Sequence, residues 1–374
     1  MCQQPAVGLS LTLSVLAEMP TAAAALVVPH SPVGDHTDIE TVRTFAAQCD
    51  VVTFDHEHVP ADVLAALQAD GVPLHPSPEA LLFAQDKIAM RRKLSEMEIP
   101  IPLWGVATSA ADVDEFATRS GWPLVAKTPR GGYDGKGVKV ISSADEIAEW
   151  LEQVGQPGPL SEGVLLEEAV QFTRELAALV ARSPSGQAAA WPIVETVQTN
   201  GICTEVLAPA PQMTDDLATV ATEAALRIAG DLGVTGVMAV ELFELTDAAT
   251  GKTSFVVNEL AMRPHNSGHW SMDGAVTGQF EQHLRAVLDL PLGETRSREP
   301  WTVMGNVLGG DYPELYPTYR HLMARDPGLK IHLYGKGVRP GRKIGHVNVS
   351  GTDLDSLRSR ARHASDFLEG TIDE

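Results

Sequence analysis

Residues 124–141 read LVAKTPRGGYDGKGVKVI, with two short apolar runs flanking a loop that holds Gly131, Gly132, Gly135 and Gly137. Two strand-like runs joined by so short and glycine-rich a link form a hairpin rather than a crossover. Bare backbone N–H groups in such a loop fold over phosphate oxygens, and the glycines let it open and close as a flap. Lys136 is followed by Gly137 where a nucleoside-triphosphatase loop needs Ser or Thr, and no helix follows as a dinucleotide fingerprint requires. Lys127, at the end of the first run, offers a point charge to a phosphate. Taken alone, the segment is equally a loose hairpin with glycines in its turn, so its neighbours decide.

Upstream, residues 9–17 read as a strand, 38–47 as a helix, 51–54 as a strand and 60–69 as a helix. Strand and helix in alternation make an α/β first domain with a parallel sheet. Ser77 and Pro78 supply an N-cap and first-turn proline for one helix running to Met97, followed by the stiff Ile99-Pro100-Ile101-Pro102 segment. The first domain ends near that helix.

Downstream of the flap, Ser143 and Glu146 form a capping box for a helix reaching Val154. Strands are expected within 164–197, at 203–208 and within 237–257, with a helix over 218–229; this is α+β grammar. The tail carries strands at 302–307 and 331–333, a basic loop, and a last helix over 353–367.

Three polar constellations lie in this second half. Glu241 and Glu259 sit in strand-like runs separated by a turn-rich stretch, and a hairpin folded about Thr250 sets them opposite each other. Like charges so placed repel, which a cation relieves, and two carboxylates beside nucleotide phosphates suit magnesium. A turn shifted by one residue would instead send one Glu to solvent. Asn258 supplies a companion amide oxygen or a plain strand-edge bond.

Directly after come Arg263, His265, Asn266, Ser267 and His269, donors dense enough to orient a small anion beside the metal. His265 and His269 have a zinc-like spacing without an obvious third ligand. A second basic cluster, residues 336–343, carries Lys336, Arg339, Arg342 and Lys343 among glycines and reads as an anion-binding loop.

The chain has 374 residues, with 28 Lys and Arg against 49 Asp and Glu. A formal charge of -21 excludes nucleic acid as a general partner and disfavours anionic membranes. Cys2, Cys49 and Cys203 are too few and scattered for a disulfide framework or paired-cysteine zinc site, so a reducing cytoplasm is expected. No basic n-region precedes the apolar residues 9–16 and no apolar run spans a bilayer, so neither export nor a membrane is expected.

With the flap, the Asn258-Glu259-Leu260-Ala261 run into Arg263-Pro264-His265-Asn266-Ser267-Gly268-His269, and the Arg339-Pro340-Gly341-Arg342-Lys343-Ile344-Gly345-His346 tail in this order, residues 27–370 resemble the ATP-grasp enzymes. The resemblance is closest to the N5-carboxyaminoimidazole ribonucleotide synthetases. It implies a doubly wound pre-ATP-grasp domain (1–88), a two-lobed ATP-grasp (89–295) and a small β-rich C-terminal domain (296–374). It also implies a strand and a Gly-Gly-Gly-Gln-Leu phosphate loop ahead of Met1, so the first domain is expected to be truncated.

By the same resemblance, ATP would contact Lys87, Lys127, the flap from Gly132 through Tyr133, Asp134, Gly135 and Lys136 to Gly137, and Asn258 and Glu259. Glu167, Glu168, Ala169 and Val170 would form the adenine hinge, Glu175 would take the ribose, and Gln198 stands where some relatives carry a histidine. Glu241 and Glu259 would hold Mg2+. Tyr133, Arg263, His265, Asn266, Ser267, Lys336, Arg342 and Lys343 would line the site for aminoimidazole ribonucleotide and bicarbonate. The implied protein is a cytoplasmic homodimeric ligase of purine synthesis. The rivals are another ATP-grasp ligase, such as a formate-using glycinamide ribonucleotide transformylase, and a nucleotide-binding protein without turnover.

Overall fold

The computed structural model describes residues 1–132, 137–199, 201–310 and 314–372. It begins with α1 (Gln3–Gly8), α2 (Ile39–Ala46), β1 (Val52–Thr53), α3 (Ala61–Ala69), β2 (Leu74–His75), α4 (Pro78–Gln85) and α5 (Lys87–Glu96). β1 and β2 pair in parallel, and single parallel bridges join Ser14 to His30 and Ala17 to Val33. The layer is thus α/β with parallel strands, as expected.

Two local expectations fail here. No strand runs over 9–17: the amides of Leu9 and Leu11 bond back to the carbonyls of Pro5 and Ala6, closing α1, and Ser10 turns at φ 56. The single helix expected up to Met97 breaks at Asp86, which is extended at φ -131 and accepts from the amides of Ile88 and Ala89. Asp86 therefore caps α5 in the middle of the predicted helix, while Ser77 caps α4.

The next layer holds β3 (Trp104–Ala107), α6 (Ala110–Ser120), β4 (Leu124–Lys127), β5 (Val138–Ile141), α7 (Ala148–Leu151) and β6 (Val164–Glu168). Its four-stranded antiparallel sheet runs β3-β6-β4-β5, with the flap hairpin β4-β5 at one edge. The amide of Thr128 bonds the Gly137 carbonyl at 2.8 Å and closes the flap's root. Gly137 has φ +74 and a Cβ there would sit 2.3 Å from Thr128 Oγ1, so only glycine fits. The capping box at Ser143 is not formed; Glu146 takes the Ser142 amide instead, a 3-10 turn precedes α7, and the helix stops at Leu151.

The second lobe contains β7 (Arg174–Arg182), β8 (Ala188–Ala190), β9 (Val194–Thr199), β10 (Ile202–Ala208), α8 (Asp215–Asp231), β11 (Gly236–Thr246), β12 (Thr253–Ala261), α9 (Ser271–Gly274) and α10 (Gln279–Val287). The tail adds β13 (Trp301–Leu308), α11 (Tyr319–Arg325), β14 (Lys330–Leu333), β15 (Lys343–Gly351) and α12 (Leu354–Glu369). One antiparallel sheet runs β12-β11-β7-β9-β10-β13-β15-β14, with β8 beside β7. The tail's strands thus continue the lobe's own sheet, Val206 facing Met304 across β10 and β13. β15 starts where the basic loop of residues 336–343 ends and is an unexpected strand, because His346 and Asn348 interrupt its apolar pattern although both are buried.

β12 is an outer strand of this sheet. The Val257 amide donates to Pro100 at 2.8 Å, and Arg91 donates to the carbonyls of Val257 and Asn258. An apolar cluster running from Val63, Leu81 and Leu94 to Val240, Leu242 and Val257 joins the first domain to the second lobe. Among the described residues no helix is long and apolar enough to cross a membrane.

Candidate active site

The antiparallel β11-β12 hairpin brings Glu241 opposite Glu259. Towards the turn the register slips by one residue, Leu242 facing Val257, which leaves Asn258 as the extra residue of a β-bulge. The bulge turns Asn258 aside, so its amide oxygen accepts from Lys127 Nζ at 3.1 Å and its carbonyl from Arg91. The opposed carboxylates take partners from elsewhere: Lys87 pairs with Glu259, and His265 Nε2 lies 3.2 Å from Glu241. Burial raises the Glu241 carboxyl, but His265, Lys87 and Lys127 together outweigh it and hold it below its ordinary value.

Lys127 also meets Glu167 at 2.7 Å, and the other oxygen of Glu167 takes Arg91 Nε at 2.7 Å. Burial pushes the Glu167 carboxyl up, yet the two cations prevail and keep it ionised below the usual range. Glu168 directs its carboxylate to the Leu103 amide at 2.8 Å, and Ala169 and Val170 leave the strand half-buried.

Asp86 anchors the flap as well as α5. It pairs with Arg130 at 2.8 Å, and the Lys87 amide bonds the Pro129 carbonyl at 3.0 Å. Gly132 and Gly137 stand at the flap's two roots; Tyr133, Asp134, Gly135 and Lys136 lie outside the described residues.

An open cleft of about 470 Å³ is lined by Glu57, Lys87, Gly132, Glu241, Glu259, Arg263 and His265, among others. Arg263 Nε donates to Glu57 at 2.8 Å. Glu57 follows β1, at the carboxyl end of a parallel strand, where open α/β layers place ligand groups. His265 Nδ1 bonds Ser267 Oγ at 2.9 Å, which aims its other ring nitrogen at Glu241. The buried Asn266 amide faces the Cys203 thiol. His269 does not join His265 in a zinc site. It is buried, bonded to Gln279 and stacked on His346, and burial drives its pKa down to about 3.

Glu175 lies on the same sheet face as Glu241. Burial first, then the Glu241 carboxylate, push it up to about 7, against a hydrogen bond from Gln198 at 3.3 Å. The tail cations stand apart from the cleft lining. Lys336 lies over the Tyr334 ring, and Arg342 donates to the Gly337 carbonyl. Lys343 is near enough to Cys203 to oppose the burial that raises that thiol to about 12.

Sequence reasoning missed Arg91, Glu57 and Asp86. Arg91 hides in a run of basic helical residues, and Glu57 in the run Asp55-His56-Glu57-His58; the one available signal was that this run follows a short apolar strand.

Models of known families match three successive stretches of the chain. A model of the ATP-grasp domain matches residues 92–280, one of the ribonucleotide synthetase preATP-grasp domain residues 1–85, and one of the phosphoribosylaminoimidazole carboxylase C-terminal domain residues 302–360. The chain is 50% identical over 371 residues to N5-carboxyaminoimidazole ribonucleotide synthase of Mycobacterium tuberculosis, covering 98% of this chain and 85% of that protein. It is 45% identical to the Corynebacterium ammoniagenes synthase, covering 98% and 89%. Among solved structures, the Thermus thermophilus synthetase aligns with TM-score 0.85 at 32% identity, covering 100% and 96%. The Aspergillus clavatus synthase in complex with ADP and 5-aminoimidazole ribonucleotide aligns with TM-score 0.85 at 30% identity, also covering 100% and 96%.

Proposed function

Because the chain belongs to the N5-carboxyaminoimidazole ribonucleotide synthase family of ATP-grasp ligases, we infer that it carboxylates 5-aminoimidazole ribonucleotide at the expense of ATP, a step of purine biosynthesis, in the cleft between flap and Arg263 loop. The observation that carries this assignment of the site is the paired register of Glu241 and Glu259 beside Lys87 and Lys127.

The donor set fits magnesium: two opposed carboxylates, with an amide oxygen beside them, leave the remaining positions to phosphate oxygens and water. Bound there, the ion would neutralise charge on the transferring phosphoryl group. Glu241 and Glu259 would hold it, exchanging His265 and Lys87 as partners. Lys87 would then turn to the phosphates with Lys127, and the flap, with Tyr133 and Asp134 to Lys136, would cover them. Glu167 through Val170 would border the adenine, with Glu175 and Gln198 at the ribose.

Bicarbonate, oriented by Arg263, His265, Asn266 and Ser267, attacks the γ-phosphorus, and ADP leaves with the β-γ bridging oxygen. The carboxyphosphate so formed releases carbon dioxide and phosphate. A closed flap keeps water out while the exocyclic amine of the ribonucleotide adds to the carbon and loses a proton. Lys336, Arg342 and Lys343 would approach the substrate's anionic end from the tail.

Working divisions at 1–88, 89–295 and 296–374 accompany this reading, as do a cytoplasmic setting, supported by three free cysteines, and a homodimer, for which exposed Leu26 and Val27 offer an apolar face. The test is ADP release with magnesium, ATP and bicarbonate, with and without 5-aminoimidazole ribonucleotide. Release that depends on the ribonucleotide supports the assignment; release indifferent to it overturns it.

A further inference from the structure

Arg91, Glu167, Lys127 and Asn258 close a ring. Arg91 Nε donates to one Glu167 oxygen at 2.7 Å, Lys127 Nζ to the other at 2.7 Å and to Asn258 Oδ1 at 3.1 Å, and Arg91 Nη2 returns to the Asn258 carbonyl at 2.7 Å. Its members come from α5, β6, β4 and the β12 bulge, so it spans both lobes of the ATP-grasp. The side chains of Arg91, Glu167 and Lys127 are 0%, 3% and 11% exposed.

The ring holds two cations against one carboxylate. Arg91 is fully buried, and Nε, Nη1 and Nη2 all donate within the protein, so it is not free to meet a ligand. Lys127 is different: it ends β4 at the root of the flap, on a stem that can turn.

We infer that Arg91 is a positioning residue whose charge neutralises Glu167, so that the charge of Lys127 remains available to a nucleotide phosphate. This rests on the reading of Lys127 as a phosphate ligand. Without Arg91, Lys127 would be the sole counter-ion of a buried carboxylate, and drawing it toward phosphate would strand that carboxylate unpaired. Glu167 therefore acts at this point through its charge balance as well as through its place in the hinge.

The inference is tested by titrating ADP in magnesium chloride into the full chain and into R91M, R91K, R91M/E167Q and K127M, with thermal unfolding to confirm that each is folded. Losing one charge-assisted phosphate contact weakens binding roughly tenfold, and R91M is expected to show this loss. R91M/E167Q restores the surplus positive charge and recovers most of that affinity, and R91K, which keeps the charge without the fork, stays within about threefold of the parent. A purely scaffolding Arg91 predicts the reverse: the double variant falls at least as far as R91M, and R91K falls with it. Either result overturns the inference, and so does R91M binding like the parent. If R91M does not fold, R91K alone decides by the same rule. K127M binding ADP like the parent would instead overturn the assignment of Lys127 itself.

Discussion

Glu175, on the sheet face it shares with Glu241, carries a measurable signature of the site's electrostatics. Burial and the neighbouring carboxylate raise it to about 7, whereas the unfolded chain holds it near 4.5. Between those values the folded protein binds more protons than the unfolded one, so this group makes stability fall as pH rises from 4.5 to 7 and leaves a constant penalty above. Glu175→Gln removes that penalty. Allowing for partial exposure, the variant is expected to be more stable than the parent by about 1 kcal/mol at pH 8 and equal to it near pH 4.5. Unfolding midpoints across that range check it, and a constant difference would refute it. At this scale the sequence made Glu241 and Glu259 legible because a hairpin's register can be counted. It hid Arg91 and Glu57, whose partners Glu167 and Arg263 are 76 and 206 residues distant.

The break between α4 and α5 shows what a single cap does. Asp86 bonds two free amides of α5 and the Arg130 guanidinium at once, while only 3% exposed. Asp86→Ala is expected to lower stability by about 2 kcal/mol, the loss of an N-cap and a partly buried ion pair. It should also weaken ADP binding, because α5 begins with Lys87 and the flap begins beyond Arg130. Denaturant melts and ADP titration read the two effects; loss of stability alone would mean that the flap root is held elsewhere. The helix break escaped sequence reading because residues 78–97 keep helical composition on both sides of Asp86. The flap hairpin was legible for the opposite reason, its glycines interrupting two β-rich runs. β15 escaped because His346 and Asn348 look solvent-facing, whereas Tyr334 bonds the one and Asp273 the other inside the fold.

For the molecule as a whole, fold class and order of domains could be read from motif order, but not the continuity of the sheet, since pairing between β10 and β13 leaves no local mark. That continuity predicts one cooperative unit: amides of β10 and β13 should share a single free energy of opening in hydrogen exchange. Arg358 of α12 grips Glu205 of β10 in three hydrogen bonds across this junction. Arg358→Ala should lower the opening energy of both strands together by about 1 kcal/mol, and a drop confined to β13 would show two units instead.

The strand that carries Asn258 and Glu259 is also an edge of its sheet, and an uncovered strand of that kind templates aggregation. The backbone of Pro100 and the guanidinium of Arg91 occupy groups along it that another chain would seek. The first lobe is thus a gatekeeper for the second, and in a cell any opening between them long enough to expose β12 is an opportunity for self-association before it is a loss of catalysis.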